Sequence, residues 1–180
     1  MNRIFVFIGE SGCGKTTIIT ELVKRHPNIF KKVVTCTSRK KRANEIEGQD
    51  YHFLSTEHFF SNPDLVLVKN SDPTACYGTR LTDLKSETHH LLITSKLTGV
   101  SKLRDLGFYN LVVVNIYINK KLKIQRMRNR GDSYQMIYDR IKSDQPTVLG
   151  LELNEIRVIS IDANQTIDEE ISAILECVNG

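Results

Sequence analysis

Apolar residues gather in short runs at Ile4 to Ile8, Val33 to Thr35, Leu65 to Val68, Leu91 to Ile93, Leu111 to Ile118 and Ile156 to Ile161. Runs of this length, rich in Val, Ile and Leu, predict strands buried on both faces. Between several of them the pattern takes the helical period. It predicts helices over Thr16 to Arg25, Leu81 to Thr88, Ser101 to Leu106, Lys120 to Arg130, Ser133 to Ser143 and Ile167 to Val178. Gly107, directly after Asp105-Leu106, is a C-terminal stop for one of them. Strands alternating with helices imply an α/β fold, a mostly parallel sheet flanked by helices on both faces. Phe53 to Val68 and the polar stretch Lys69 to Ala75 do not suit another βα unit and read as a small insertion of short strands, able to move separately. Pro146 to Gly150 reads as a loop before the last strand.

The junction of the first strand and first helix carries the chemistry. Gly9-Glu-Ser-Gly-Cys-Gly-Lys-Thr16 is a complete G-x-x-x-x-G-K-[ST] phosphate loop in a strand-loop-helix setting. Its glycines, Gly9, Gly12 and Gly14, let backbone N–H groups converge on one concavity, and the helix opening near Lys15 adds its positive dipole end. Gly9, Ser11, Gly12, Cys13, Gly14, Lys15, Thr16 and Thr17 are the expected donor-nucleotide contacts. Lys15 would reach the β and γ phosphates of ATP, and the Thr16 hydroxyl would be one ligand to Mg²⁺. The bland reading, a glycine turn with an incidental lysine, does not account for both flanks.

Composition narrows the class. A chain of 180 residues suits a single domain with its own core. The four cysteines, Cys13, Cys36, Cys76 and Cys177, form no C-x-x-C pair, so neither zinc nor a disulfide framework is suggested and reduced thiols in a cytoplasmic setting are expected. His52, His89 and His90 have no metal-ligand spacing and read as structural or surface residues. A strand and catalytic loop within the first residues leave no room for a cleavable signal, and no apolar stretch is long enough to span a bilayer. The net charge of +4 is modest for an enzyme that handles phosphate and does not argue for nucleic acid.

A family resemblance rests on three further stretches. In Thr35 to Phe53, Arg39 and Arg42 stand three apart ahead of Glu45, Gly48 and Asp50-Tyr51-His52-Phe53. Tyr77-Gly78-Thr79 follows, and then Arg126-Met127-Arg128-Asn129-Arg130 with Arg140 beyond it. Together with the phosphate loop, in this order over most of the chain, they resemble the guanylate kinases. The resemblance implies a P-loop core over 1–36 and 81–180, an acceptor-binding insertion at about 37–80 and a helical lid at about 126–140. It also implies acceptor-phosphate ligands Arg39, Arg42, Tyr51 and Tyr77, with Glu45 in the same signature. Thr35 and Thr79 are implied as contacts to the base, and Lys15, Arg126, Arg130 and Arg140 as the charges of transfer. Two arginine forks and two phenol hydroxyls make chemical sense around a dianionic phosphate. A lid would also keep water from the γ phosphate.

The pattern departs from the family at the base. Val68, Thr94 and Lys96 stand where the resemblance places acidic residues, which puts guanine specificity in question. The expected activity is therefore ATP-dependent phosphoryl transfer to GMP or to a divergent monophosphate acceptor. A sugar-phosphate kinase of the same fold and a catalytically weak module binding a phosphorylated ligand are the alternatives. Alone, Arg39 to Arg42 would read as a solvated basic turn or nucleic-acid patch, Lys120 to Arg130 as a charged helix face, and the tyrosines as core aromatics. A small phosphorylated partner, no nucleic acid, no membrane, and a monomer or homodimer complete the expectation.

Overall fold

The structure is a computed structural model that describes residues 2–41, 45–72, 75–144, 153 and 155–179. The elements, in chain order, are β1 (Ile4–Gly9), α1 (Lys15–Arg25), β2 (Phe30–Lys32), β3 (Cys36–Thr37), β4 (His52–Phe53), α2 (Thr56–Ser61), β5 (Leu65–Asp72) and β6 (Ala75–Arg80). A 3₁₀ turn follows at Leu81–Leu84, then β7 (His90–Thr94), α3 (Leu97–Asp105), β8 (Leu111–Tyr117), α4 (Lys120–Asn129), α5 (Tyr134–Ser143), β9 (Arg157–Asp162) and α6 (Ile167–Asn179).

Five parallel strands form the main sheet in the order β2-β7-β1-β8-β9. β1 is central, and period-two alternation sends its side chains to opposite faces. Phe5 and Phe7 pack with Ile18, Ile19 and Leu22 of α1 and Ile171 and Ile174 of α6. Ile4, Val6 and Ile8 pack with Val100 and Leu103 of α3. Each fully buried aromatic or aliphatic side chain contributes about 1.5–3 kcal/mol, so the two clusters fix β1 firmly. Its carboxyl end falls where strand order reverses, the place at which open α/β sheets hold ligands. The second sheet runs β4-β3-β6-β5, with β3 and β4 parallel and the other pairs antiparallel. Its small core is Cys36, Phe59 and Cys76.

Several elements differ from the sequence pattern. The strand expected over Val33 to Thr35 lies earlier, at Phe30–Lys32. Val33 N–H still bonds to Leu92 O at 2.9 Å, but Thr35 O already accepts from His52 N–H in the second sheet, so this apolar run is the crossing between sheets. The helix expected over Leu81 to Thr88 stops after one 3₁₀ turn, because short polar side chains capture local backbone. The Ser86 hydroxyl accepts from His89 N–H at 3.1 Å, and Asp64 accepts from Thr82 N–H at 3.2 Å. α3 begins four residues before Ser101, running through Gly99, where a Cβ would stand 1.9 Å from Ser95 Oγ. The insertion holds a helix, α2, capped by Ser55, and the polar stretch after Val68 extends β5 into a hairpin with β6. The loop expected at 146–150 lies outside the described residues.

His90 at the head of β7 accepts Arg3 N–H through Nδ1 at 2.9 Å and stacks edge-on to Phe5. Burial, aided by the charges of Arg3 and the N-terminus, pushes its pKa below the ordinary value. The folded state therefore binds fewer protons than the unfolded chain as pH falls below about 6.5, and stability declines from that point downward. Urea unfolding at about pH 7.5 and 5.5 is expected to show this decline, and His90→Gln to flatten it.

Candidate active site

β1 delivers the chain into the loop at Gly9, whose φ of +145° lies in a region open to glycine. A Cβ there would meet Ile116 O at 2.5 Å and Cys13 Sγ at 2.9 Å, so the loop passes tight against β8. Cys13 is fully buried and its N–H closes the loop onto Glu10 O at 3.3 Å. Gly14, left-handed, caps α1, and Ile18 N–H bonds to Gly14 O at 3.0 Å. The Lys15 ammonium folds over the loop and donates to Gly9 O at 2.7 Å and Glu10 O at 2.9 Å. Thr16 and Thr17 are exposed in the first turn of α1, where the helix dipole presents its positive end.

α4 forms the wall behind this loop. Its N-cap Asn119 accepts Leu122 N–H at 2.8 Å, and positions 123, 126 and 127 share the face toward the loop. Arg126 donates to Cys13 O at 3.2 Å and to Ala163 O at 2.9 Å, joining the loop to the turn after β9. Glu170 of α6, 4% exposed, lies within its field; burial raises the pKa of this carboxyl while Arg126 opposes the rise. Arg130 and Arg140 both pair with Asp132, Arg140 at 3.4 Å. The three expected transfer arginines thus divide, one on the loop and two around the Asp132 carboxylate.

The second sheet gathers another group. Arg39 forms a bidentate pair with Glu45 at 2.6 and 3.0 Å and donates to Lys40 O at 2.6 Å. Its guanidinium lies 5.5 Å from the Tyr51 ring centroid and 5.8 Å from that of Phe53. The Glu45 hydrogen bond, with a further bond to Tyr77, holds the Arg39 pKa well above its ordinary value against the cost of burial. Tyr51 and Tyr77 are 5.8 Å apart by ring centroids. Arg39 Nε is buried without a hydrogen-bond partner. Arg42 lies outside the described residues. Thr79 is buried on β6 and Thr35 is half-buried at the crossing between sheets. Thr94 ends β7 and Lys96 precedes α3, both exposed; the Val68 side chain lies outside the description.

Other residues at these sites were not visible in the pattern. Thr37 is fully buried, donates to Cys76 O at 2.9 Å and accepts Arg39 N–H at 3.2 Å, orienting that arginine. His52 Nε2 lies 2.7 Å from Arg80 Nη2 and its Nδ1 3.2 Å from Glu47. Because an arginine only donates, Nε2 is the acceptor and Nδ1–H donates to Glu47. Lys123, part of what reads as a charged helix face, is 4% exposed and pairs with Glu10 and Asp144. Burial opposes its charge, but the hydrogen bond and charge of Glu10, with Asp144, hold its pKa above the ordinary value. The available signal was its place on the stripe shared with Met127.

Replacing Gly9 by Ala drives a methyl into Ile116 O at a disfavoured φ. The expected result is a loss of about 1–3 kcal/mol of stability together with weakened ATP binding, checked by denaturant unfolding and calorimetric titration.

The guanylate kinase family model matches residues 1–178. A guanylate kinase of Blochmanniella floridana is 29% identical over 168 residues, covering 88% of this chain and 79% of that one. One from Mycoplasmoides gallisepticum is 27% identical over 180 residues, covering 96% and 92%. Among solved structures, guanylate kinase from Anaplasma phagocytophilum superimposes with a TM-score of 0.65 at 20% identity, covering 99% of this chain and 85% of that one. A gluconokinase from Sinorhizobium meliloti 1021 shares the fold at a TM-score of 0.54 and 15% identity, covering 98% and 91%. With the family model spanning both the phosphate loop and the second sheet, this chain belongs to the guanylate kinase family of nucleoside monophosphate kinases.

Proposed function

We propose that the chain transfers the γ-phosphoryl group of ATP to GMP, giving ADP and GDP. The observation that carries this reading is the family match over 1–178, which takes in a loop with the Lys15 ammonium at its mouth and a second cluster built on Arg39. The sugar-phosphate kinase and the inactive binding module are not favoured: the gluconokinase likeness is one of fold alone, and every motif residue of the loop is present.

In this reading Gly9 to Thr17 cradle the triphosphate, and Lys15 exchanges loop carbonyls for phosphate oxygens. Mg²⁺ suits the donors available. Thr16 offers a hard hydroxyl oxygen at the helix start, and no group of three or more acidic, His or Cys residues among the described residues forms a cage of its own. An ion held mainly by phosphates and water through one hydroxyl is the usual Mg²⁺ arrangement, and when bound it neutralises charge between the phosphates. Arg39, Arg42, Tyr51 and Tyr77 hold the acceptor phosphate. The unpartnered Arg39 Nε–H supports an anion here, since a buried donor without an acceptor costs about 1–3 kcal/mol. Glu45 keeps the guanidinium aimed until the phosphate arrives. Arg126, through the loop, and Arg130 and Arg140, from the lid, balance charge that develops in transfer.

The base pocket would use Thr35 and Thr79. With Thr94 and Lys96 in place of acidic residues, discrimination of GMP from other purine monophosphates is expected to be weak. We place the core at 1–36 and 81–180, the acceptor-binding insertion at about 37–80 and the lid at about 126–140. The chain would act in the cytoplasm as a monomer or homodimer. In support, its four cysteines are buried thiols, and among the described residues no helix is long and apolar enough to cross a membrane.

A coupled assay of ADP formation with Mg²⁺ and ATP tests the reading. ADP is expected with GMP, and Lys15→Ala is expected to lower kcat by about 100-fold or more. ADP formation with gluconate and not with any nucleoside monophosphate, or none with any acceptor, overturns it.

A further inference from the structure

Lys123 and Asp144 form a charge cluster with Glu10 and Ser11 of the donor loop, and the transfer chemistry above uses neither Lys123 nor Asp144. The Lys123 ammonium stands 2.5 Å from Glu10 Oε2 and 3.3 Å from Asp144 Oδ2. Its side chain is 5% exposed, and the two carboxylates are 20% and 13% exposed. Asp144 directly follows α5 and reaches back to the loop. One of its oxygens accepts Ser11 N–H at 3.1 Å, and the other lies 3.1 Å from the Ser11 hydroxyl. The stem of Lys123 makes a separate contact. A Cβ built on Gly12 would fall 3.2 Å from Lys123 O and 3.4 Å from Lys123 Cγ, so the loop rests on this residue. Glu10, Ser11 and Gly12 are therefore fixed in succession, by charge, hydrogen bond and packing, from two helices that lie more than a hundred residues later in the chain.

We propose that Lys123 and Asp144 are positioning residues for phosphoryl transfer, forming a brace that ties the donor loop to the helix bearing Arg140. The proposal rests on the kinase reading above for its link to turnover, but not for its effect on the loop. Arg140 and Asp144 stand four residues apart, and Asp144 N–H bonds to Arg140 O at 2.8 Å. A shift of the end of α5 thus moves Arg140 and pulls on Ser11 together. Stability alone does not require such a cluster, since apolar residues of similar volume do as well as a buried ion pair or better. Directed hydrogen bonds to one loop amide and one loop hydroxyl are what packing cannot supply.

The test compares full-length wild type with Asp144→Ala, Lys123→Met, Lys123→Arg and the uncharged triple variant Glu10→Gln/Lys123→Met/Asp144→Asn. Calorimetric titration with ATP and Mg²⁺ reads the loop, GMP titration serves as a control on the other site, and coupled turnover reads transfer. Asp144→Ala and Lys123→Met are expected to weaken ATP binding about tenfold and to lower kcat by a similar factor, with GMP affinity within about twofold, the loss expected for a charge-assisted hydrogen bond. Lys123→Arg keeps both pairs and is expected to stay within about threefold of wild type for ATP. The triple variant should regain thermal stability lost in Lys123→Met without regaining ATP affinity. If Asp144→Ala and the triple variant bind ATP within about twofold of wild type while only the melting temperature moves, the cluster is structural and the proposal falls. If wild type binds ATP but yields no ADP with any acceptor, the kinase reading fails, and the ATP titrations still decide the brace.

Discussion

The site depends on holding one strand end still. β1 is bonded on both edges, to β7 through Phe7 and to β8 through Gly9, and its side chains are buried on both faces. The backbone that leaves it can then enter the turn at Gly9, pressed against Ile116 O, with little freedom. A loop of amides binds anions well only when it need not be ordered at the moment of binding, since ordering each residue costs about 1–2 kcal/mol. The two apolar clusters that flank β1 supply that order before any nucleotide arrives.

Charge is arranged on the same principle. Lys15 lies on loop carbonyls, Arg126 on Cys13 O and Ala163 O, Arg130 and Arg140 on Asp132, and Arg39 on Glu45. Each cation already has an oxygen partner of the protein's own, set in a fixed direction. In the proposed transfer, phosphate oxygens would substitute for partners of lower or equal charge, and the arginines would not have to be stripped of a full water shell. That exchange favours binding where a free, fully hydrated guanidinium would gain less. Asp132 is 10% exposed, so Arg130 and Arg140 gather around a carboxylate that has little water of its own.

The phosphate loop was readable because glycine positions and their flanks state a backbone requirement directly. The parallel sheet was readable from unbroken runs such as Leu111 to Val114. β2 was misplaced because Val33-Val34 has strand composition while Phe30, with 1% exposure, makes the core contact; a three-residue edge strand offers too little pattern to fix its register. The turn after β6 was misread because the helical spacing of Leu81, Leu84 and Lys85 hides the competition from Ser86 and Asp64. At the candidate site, the cluster of Arg39, Tyr51 and Tyr77 joins residues far apart in sequence, and only the family resemblance suggested their meeting. Lys123 escaped notice because a lysine within a basic helix ordinarily faces solvent, and its carboxylate partners lie 113 positions earlier and 21 later.

Among the described residues the second sheet has a nucleus of Cys36, Phe59 and Cys76, against sixteen and eleven buried residues in the clusters of the main sheet. A lobe built on a small nucleus unfolds locally at a lower free energy than a body with a large core. Any ligand that binds this lobe in its folded form stabilises it by mass action alone. Amide exchange and protease resistance in the lobe then become a direct gauge of occupancy there, separable from the state of the phosphate loop.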